Sequence, residues 1–257
     1  MVTLLDVPGG RLEYLTVGAG QPVTVFAHGL GGSIPDTRPL GSGVRGTKVF
    51  CHFRDHGASA VTAPVSYAEL AGELRAVADA VGATRALGVS LGAGALCRLL
   101  VQTPDRFERV VFFLPALLDR APEDPARLLA LAERAAAGDR CGLAELLLAE
   151  QPKAVRGLLE ARRWARARAA ALAGPAFARL CRGLAGQAAV PDRALLARVD
   201  VPALVIGQEG DDVHPVEVAR ALAAVLPRAE LRVFGEGGAL WAHRRELRDL
   251  VGGFLAE

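Results

Sequence analysis

The chain has 257 residues, 51% hydrophobic and 23% charged, with 29 Gly and 15 Pro that follow no triplet period. This balance excludes a disordered chain, a disulfide scaffold and collagen, and a single unit of this length buries roughly three-quarters of its unfolded surface. Thirty basic residues against 28 acidic ones leave a formal charge of +2, and 5% aromatic content offers no base-stacking platform, so nucleic acid is not an expected partner.

Alternation over residues 3–7 and 11–17, either side of Pro8-Gly9-Gly10, predicts a β-hairpin. Residues 22–27 form an apolar run ending at His28-Gly29-Leu30-Gly31-Gly32, as expected of a strand buried on both faces, and residues 48–53 repeat the pattern. Helical spacing covers 66–81, with Ser66 placed to cap it, then a strand at 85–89, a helix at 91–102 and a strand at 109–114. From 115 to 199 the text is rich in Ala, Leu and Arg, broken by Pro and Gly, and predicts helices only. Strand, helix, strand and helix return at 203–207, 216–226, 230–234 and 243–255.

Strands alternating with helices imply an α/β fold with a mainly parallel sheet. The division expected is a core of 1–114 and 200–257 carrying a helical segment of 115–199, too long for a simple connection. The cysteines Cys51, Cys97, Cys141 and Cys181 lie far apart with no CxxC pair, so free thiols in a reducing compartment are expected rather than a metal or redox site. No secretory leader and no membrane-spanning run is visible, which points to a cytoplasmic protein without a membrane partner.

The strongest local signal is Gly88-Val89-Ser90-Leu91-Gly92 at a strand-to-helix junction. A G-x-S-x-G pattern there describes a nucleophile elbow, with the serine hydroxyl presented beside a helix N-terminus. An acyl-transfer site also needs two backbone amides aimed at the developing oxyanion; Leu91 and Leu30 are placed to give them.

On these residues the chain resembles the α/β-hydrolase fold family over essentially its whole length. His52-Phe53-Arg54-Asp55-His56-Gly57-Ala58-Ser59 is similar to that family's D-x-R-G-H-G-x-S loop, departing at His52 and Asp55. Reading His52 and His56 as a metal pair fails because they lie on a strand-to-loop junction. The resemblance implies a sheet with helices on both faces, 115–199 as a helical cap, and a Ser, acid, His order of catalytic residues. The acid it implies is Asp211, with Asp212 the neighbouring candidate. The loop that holds the family's histidine carries Gly238 at the matching position, and His243, five residues later, is the substitute. His214, beside the acid, and His28, which opens the oxyanion loop together with Gly29, rank below it.

The expected activity is that of a serine hydrolase on an ester or thioester of a small organic acid, with Ser90, Asp211 and His243 catalytic and no cofactor or metal. Because Gly238 stands where the histidine belongs, a non-hydrolytic lyase or cyclase and a ligand-binding pseudoenzyme remain open. A protein-interaction module, for which only the Arg-rich stretch 162–168 speaks, ranks last.

Overall fold

Side chains alternate across a strand, and here both sides of each central strand are apolar, so the strands need a layer of helices on each face. The computed structural model of the protein describes residues 1–62, 64–122 and 125–257. Its strands are β1 (Val2–Val7), β2 (Gly10–Val17), β3 (Val23–Ala27), β4 (Thr47–Cys51), β5 (Ala60–Val61), β6 (Arg85–Val89), β7 (Arg109–Phe113), β8 (Ala203–Gln208) and β9 (Ala229–Phe234). They form one sheet in the order β1-β2-β4-β3-β6-β7-β8-β9, with the short β5 also paired to β2. The hairpin β1–β2 is antiparallel, β2 joins β4 antiparallel, and every pairing from β4 to β9 is parallel.

The register sorts the core into two layers. Val49, Val25, Ala86, Val110 and Ala203 stand side by side on adjacent strands and face one layer; their successors Phe50, Phe26, Leu87, Val111 and Leu204 face the other. Helices α2 (Tyr67–Ala80) and α3 (Leu91–Gln102) cover the first row with Leu70, Leu74, Leu96 and Leu99. Later in the chain α8 (Val216–Val225) adds Leu222 to that layer, while α9 (Arg244–Phe254) covers the second with Leu247, Val251 and Phe254. As the sequence suggests, Ser66 caps α2, its side chain accepting the Glu69 amide at 3.2 Å.

Between β7 and β8 the described residues hold no strand. They form α4 (Ala126–Ala136), α5 (Arg140–Ala149), α6 (Leu159–Leu172) and α7 (Pro175–Leu184), with α4 packed on α7 and α5 on α6. Residues 123 and 124 of the expected 115–199 segment lie outside the described residues. Among the small elements that escape the sequence reading are β5 and the four-residue helix α1 (Ile34–Thr37) after the first glycine-rich loop. Neither is long enough to show a period. All four cysteines are free, with Cys141 exposed and the other three buried. Among the described residues no helix is long and apolar enough to cross a membrane.

Candidate active site

Ser90 links β6 to α3 with φ 51° and ψ −107°, a backbone conformation that costs a residue with a side chain on the order of 1–3 kcal/mol. The turn is held on both sides: the Ser90 amide donates to the Phe113 carbonyl at 2.9 Å, and the Ser90 carbonyl accepts from Gly94 at 3.0 Å. The flanking glycines permit it. A Cβ on Gly88 would collide with the Gly92 carbonyl, and one on Gly92 would lie 2.6 Å from the Ala27 oxygen and 2.8 Å from that of His28. Strand, helix and the first glycine-rich loop thus converge on the serine, whose side chain lines a cavity of about 690 Å³.

The histidine on Ser90 is His214. Its Nε2 lies 2.9 Å from Ser90 Oγ, and its Nδ1 lies 2.9 Å from Asp211 Oδ2. An ionised carboxylate only accepts, so Nδ1 carries the proton and Nε2 presents its lone pair to the serine hydroxyl. Both residues come from the loop between β8 and α8. Asp211 Oδ1 accepts the amides of Val213 and His214 at 3.0 Å each, which curls the chain until the His214 ring lies back on Oδ2. Gln208 Nε2 completes the shell with a bond to Oδ2 at 3.0 Å. Burial pushes the Asp211 carboxyl up, but the His214 ring and the two amides outweigh it and hold the carboxyl below its ordinary value.

The structure does not bring His243 to this group. It stands at the N-terminus of α9, its ring 5.5 Å from that of Phe234 and its Nδ1 3.5 Å from Glu246 Oε2, and it is absent from the cavity wall. The reason lies in the preceding turn, a single π-helical turn at Gly238–Ala242 entered through Gly237 at φ 112°. Gly238 itself has φ 82°, and a Cβ there would lie 3.0 Å from Trp241 Cδ1, so a side chain at 238 would meet a left-handed backbone and a tight contact together. Asp212 points outward, 3.9 Å from an Arg156 nitrogen.

The first glycine-rich loop lies against the serine, since a Cβ on Gly29 would sit 3.3 Å from Ser90 Cβ. Leu30 and Leu91 both line the site region, Leu30 in the cavity wall and Leu91 at the first position of α3. Among the described residues neither backbone amide has an acceptor. His28 is fully buried behind the loop. It donates from Nδ1 to Gly29 O at 2.7 Å and accepts the Phe53 amide on Nε2 at 3.1 Å, tying the loop to the end of β4. Burial first, then the neighbouring His56, holds its imidazole well below the ordinary range, so it is neutral. His52 and His56 make equally local bonds, to Glu13 and Ile34 and to the Arg54 carbonyl respectively. Among the described residues no group of three or more His, Cys, Asp or Glu is arranged to hold a metal ion.

Gln208, the last residue of β8, is the member that the sequence reading missed. It is 2% exposed, and its Oε1 accepts the Ala239 amide at 2.8 Å while its Nε2 holds Asp211. A glutamine at a strand end carries no motif; only the burial reveals it. For His214 a signal existed in the spacing Asp211-Asp212-Val213-His214-Pro215, three residues from acid to base.

No family model matches the chain, and no curated protein matches it in sequence. Solved structures do match it in fold. An alpha/beta hydrolase enzyme from a Medee basin deep-sea metagenome library superimposes with a TM-score of 0.84 at 16% identity, over 99% of this chain and 98% of that one. An esterase from Exiguobacterium antarcticum gives 0.82 at 17% identity over the whole of both chains. An enol-lactonase from Burkholderia xenovorans gives 0.82 at 21% identity, over 99% and 100%. With its parallel sheet, its helices on both faces and these neighbours, the chain has the α/β-hydrolase fold.

Proposed function

We propose that the protein is a serine hydrolase acting on an ester or thioester of a small organic acid. The observation that carries this reading is the unbroken relay Ser90–His214–Asp211, two hydrogen bonds of 2.9 Å. Ser90 Oγ attacks the acyl carbonyl while His214 Nε2 takes its proton, and the amides of Leu30 and Leu91 hold the resulting oxyanion. The imidazolium returns the proton to the leaving alcohol or thiol, which departs as the acyl-serine forms. His214 then takes a proton from water, the hydroxide equivalent attacks the acyl-serine, and the acid leaves as Ser90 is reprotonated. Asp211 keeps the Nδ1–H tautomer and stabilises the imidazolium. The 115–199 insertion is the cap, for Arg127, Leu147, Glu150, Trp164 and Arg168 all contribute to the cavity wall.

A non-hydrolytic use of the fold had one argument, the glycine at 238, and His214 on Ser90 answers the need for a base from another loop. The test is single-turnover labelling by a fluorophosphonate, which requires an activated serine. The expected result is stoichiometric labelling that disappears in Ser90→Ala; unlabelled wild-type protein would overturn the reading.

A further inference from the structure

The cavity beside Ser90 is unevenly charged. Its wall contains three carboxylates, each already matched: Asp36 with Arg168, Glu150 with Arg127, and Asp211 with His214. Three more arginines reach the wall from the first two turns of α9. Arg248 is paired with its neighbour Asp249 at 2.8 Å. Arg244 gives its Nε–H to the Leu240 carbonyl at 2.6 Å and has no carboxylate partner, and Arg245 has no polar partner at all among the described residues. Two guanidiniums are therefore without a carboxylate in a concave site where two of the three carboxylates are held by arginine and the third, Asp211, by His214.

The rest of the wall says how an occupant would lie. Leu30, Leu114, Leu147 and Val213 make an apolar stretch in the same cavity as Ser90. The chain has only two tryptophans, and both line this cavity, Trp164 with Arg168 over its ring and Trp241 with Arg244 over its ring at 5.8 Å. Stacking on Trp241 orients the Arg244 guanidinium and leaves its terminal N–H groups for a planar anion, which a guanidinium binds through two parallel hydrogen bonds.

We infer that the substrate carries a second, free carboxylate, which Arg244 and Arg245 hold while an apolar spacer places the ester carbonyl at Ser90. This rests on the hydrolase reading above and names the substrate class for it: half-esters of small dicarboxylic acids, or lactones of hydroxydicarboxylic acids that keep one carboxylate free. A neutral ester of the same length fills the apolar stretch but leaves both guanidiniums unmatched.

The test compares kcat/KM for p-nitrophenyl hydrogen adipate with that for p-nitrophenyl hexanoate, which has an acyl chain of like length and no charge. The wild type is expected to favour the half-ester by about tenfold or more at low salt, with the preference shrinking as salt screens it. In the Arg244→Gln/Arg245→Gln double variant the ratio is expected to fall towards one, and Arg245→Lys to keep part of it. A ratio at or below one in the wild type, unmoved by the substitutions, would overturn the inference and leave the hydrolase reading standing. If neither ester is cleaved, the hydrolase reading fails, and binding decides the anion site by itself. Titration of Ser90→Ala with monomethyl and dimethyl adipate, followed by the fluorescence of the two cavity tryptophans, is expected to show the monoanion binding about tenfold more tightly. Equal affinity would overturn the site.

Discussion

Asp211 makes four hydrogen bonds with its two carboxylate oxygens, and all four come from residues within three positions in the chain. That local ring makes a base and its orienting acid possible on one short loop, and it accounts for what Asp211→Asn would do. An amide at this position can donate to His214 Nδ1, which favours the tautomer with the proton on Nε2, the wrong one for taking the serine proton. The expected loss in kcat is about 10³- to 10⁴-fold with the fold intact. Undiminished turnover by the Asn variant would remove Asp211 from the relay. Ser90, Asp211, Leu30 and Leu91 could be proposed from sequence because each sits at a fixed offset from a glycine, a proline or a strand end. For His214 the three-residue spacing from Asp211 brings the two close in the chain, but the turn of its ring onto Ser90 depends on bonds to Asp211 that only the folded loop makes.

At the scale of elements, the loop after β9 and the loop after β8 are joined by one side chain. Gln208 accepts from Ala239 in the π-helical turn and donates to Asp211, so the turn that holds no histidine still fixes the acid. Replacing Gln208 by Leu keeps its volume but leaves the buried Ala239 amide and one Asp211 lone pair unmatched. Activity is expected to fall about tenfold or more, mainly in kcat, with a smaller loss of stability; a change confined to KM would show that Gln208 acts on substrate instead. The strand and helix order was legible because the central strands are unbroken apolar runs and the helices between them keep their period. The turn at 238–242 was not legible, since its course follows from two left-handed glycines and the packing of Trp241. An offset counted along the sequence, such as the five residues from Gly238 to His243, says nothing about where the ring points.

The whole molecule buries two histidines with lowered pKa, His28 and His56, around the base of the first glycine-rich loop, and this gives its stability a defined pH dependence. Burial pushes the His56 imidazole down to about 4, against roughly 6.5 in an unfolded chain. Between those values the unfolded chain binds a proton that the folded one refuses, so stability is full above about pH 6.5 and falls as the pH drops towards 4. The loss from His56 alone is about 3 kcal/mol. His28 shifts in the same direction, and the lowered carboxyls of Asp211 and Glu13 add to the loss at the acid end. Glu73 and Glu150, raised chiefly by burial, work in the opposite sense. Thermal melts from pH 7 to 4 are expected to show Tm falling with pH, and His56→Gln to show a shallower slope whatever its Tm at pH 7. Parallel slopes would mean that His56 takes up its proton without unfolding.

The central claim is that the base acting on Ser90 comes from the acid's own loop rather than from the end of the sheet. It is tested most directly by steady-state hydrolysis of p-nitrophenyl acetate by His214→Ala and His243→Ala, measured side by side with the wild type. Loss of about 10³-fold or more in His214→Ala, with His243→Ala within about twofold of wild type, is the result expected from a ring 2.9 Å from Ser90 Oγ and another packed on Phe234. The reverse pattern, His243→Ala inactive and His214→Ala active, would contradict it.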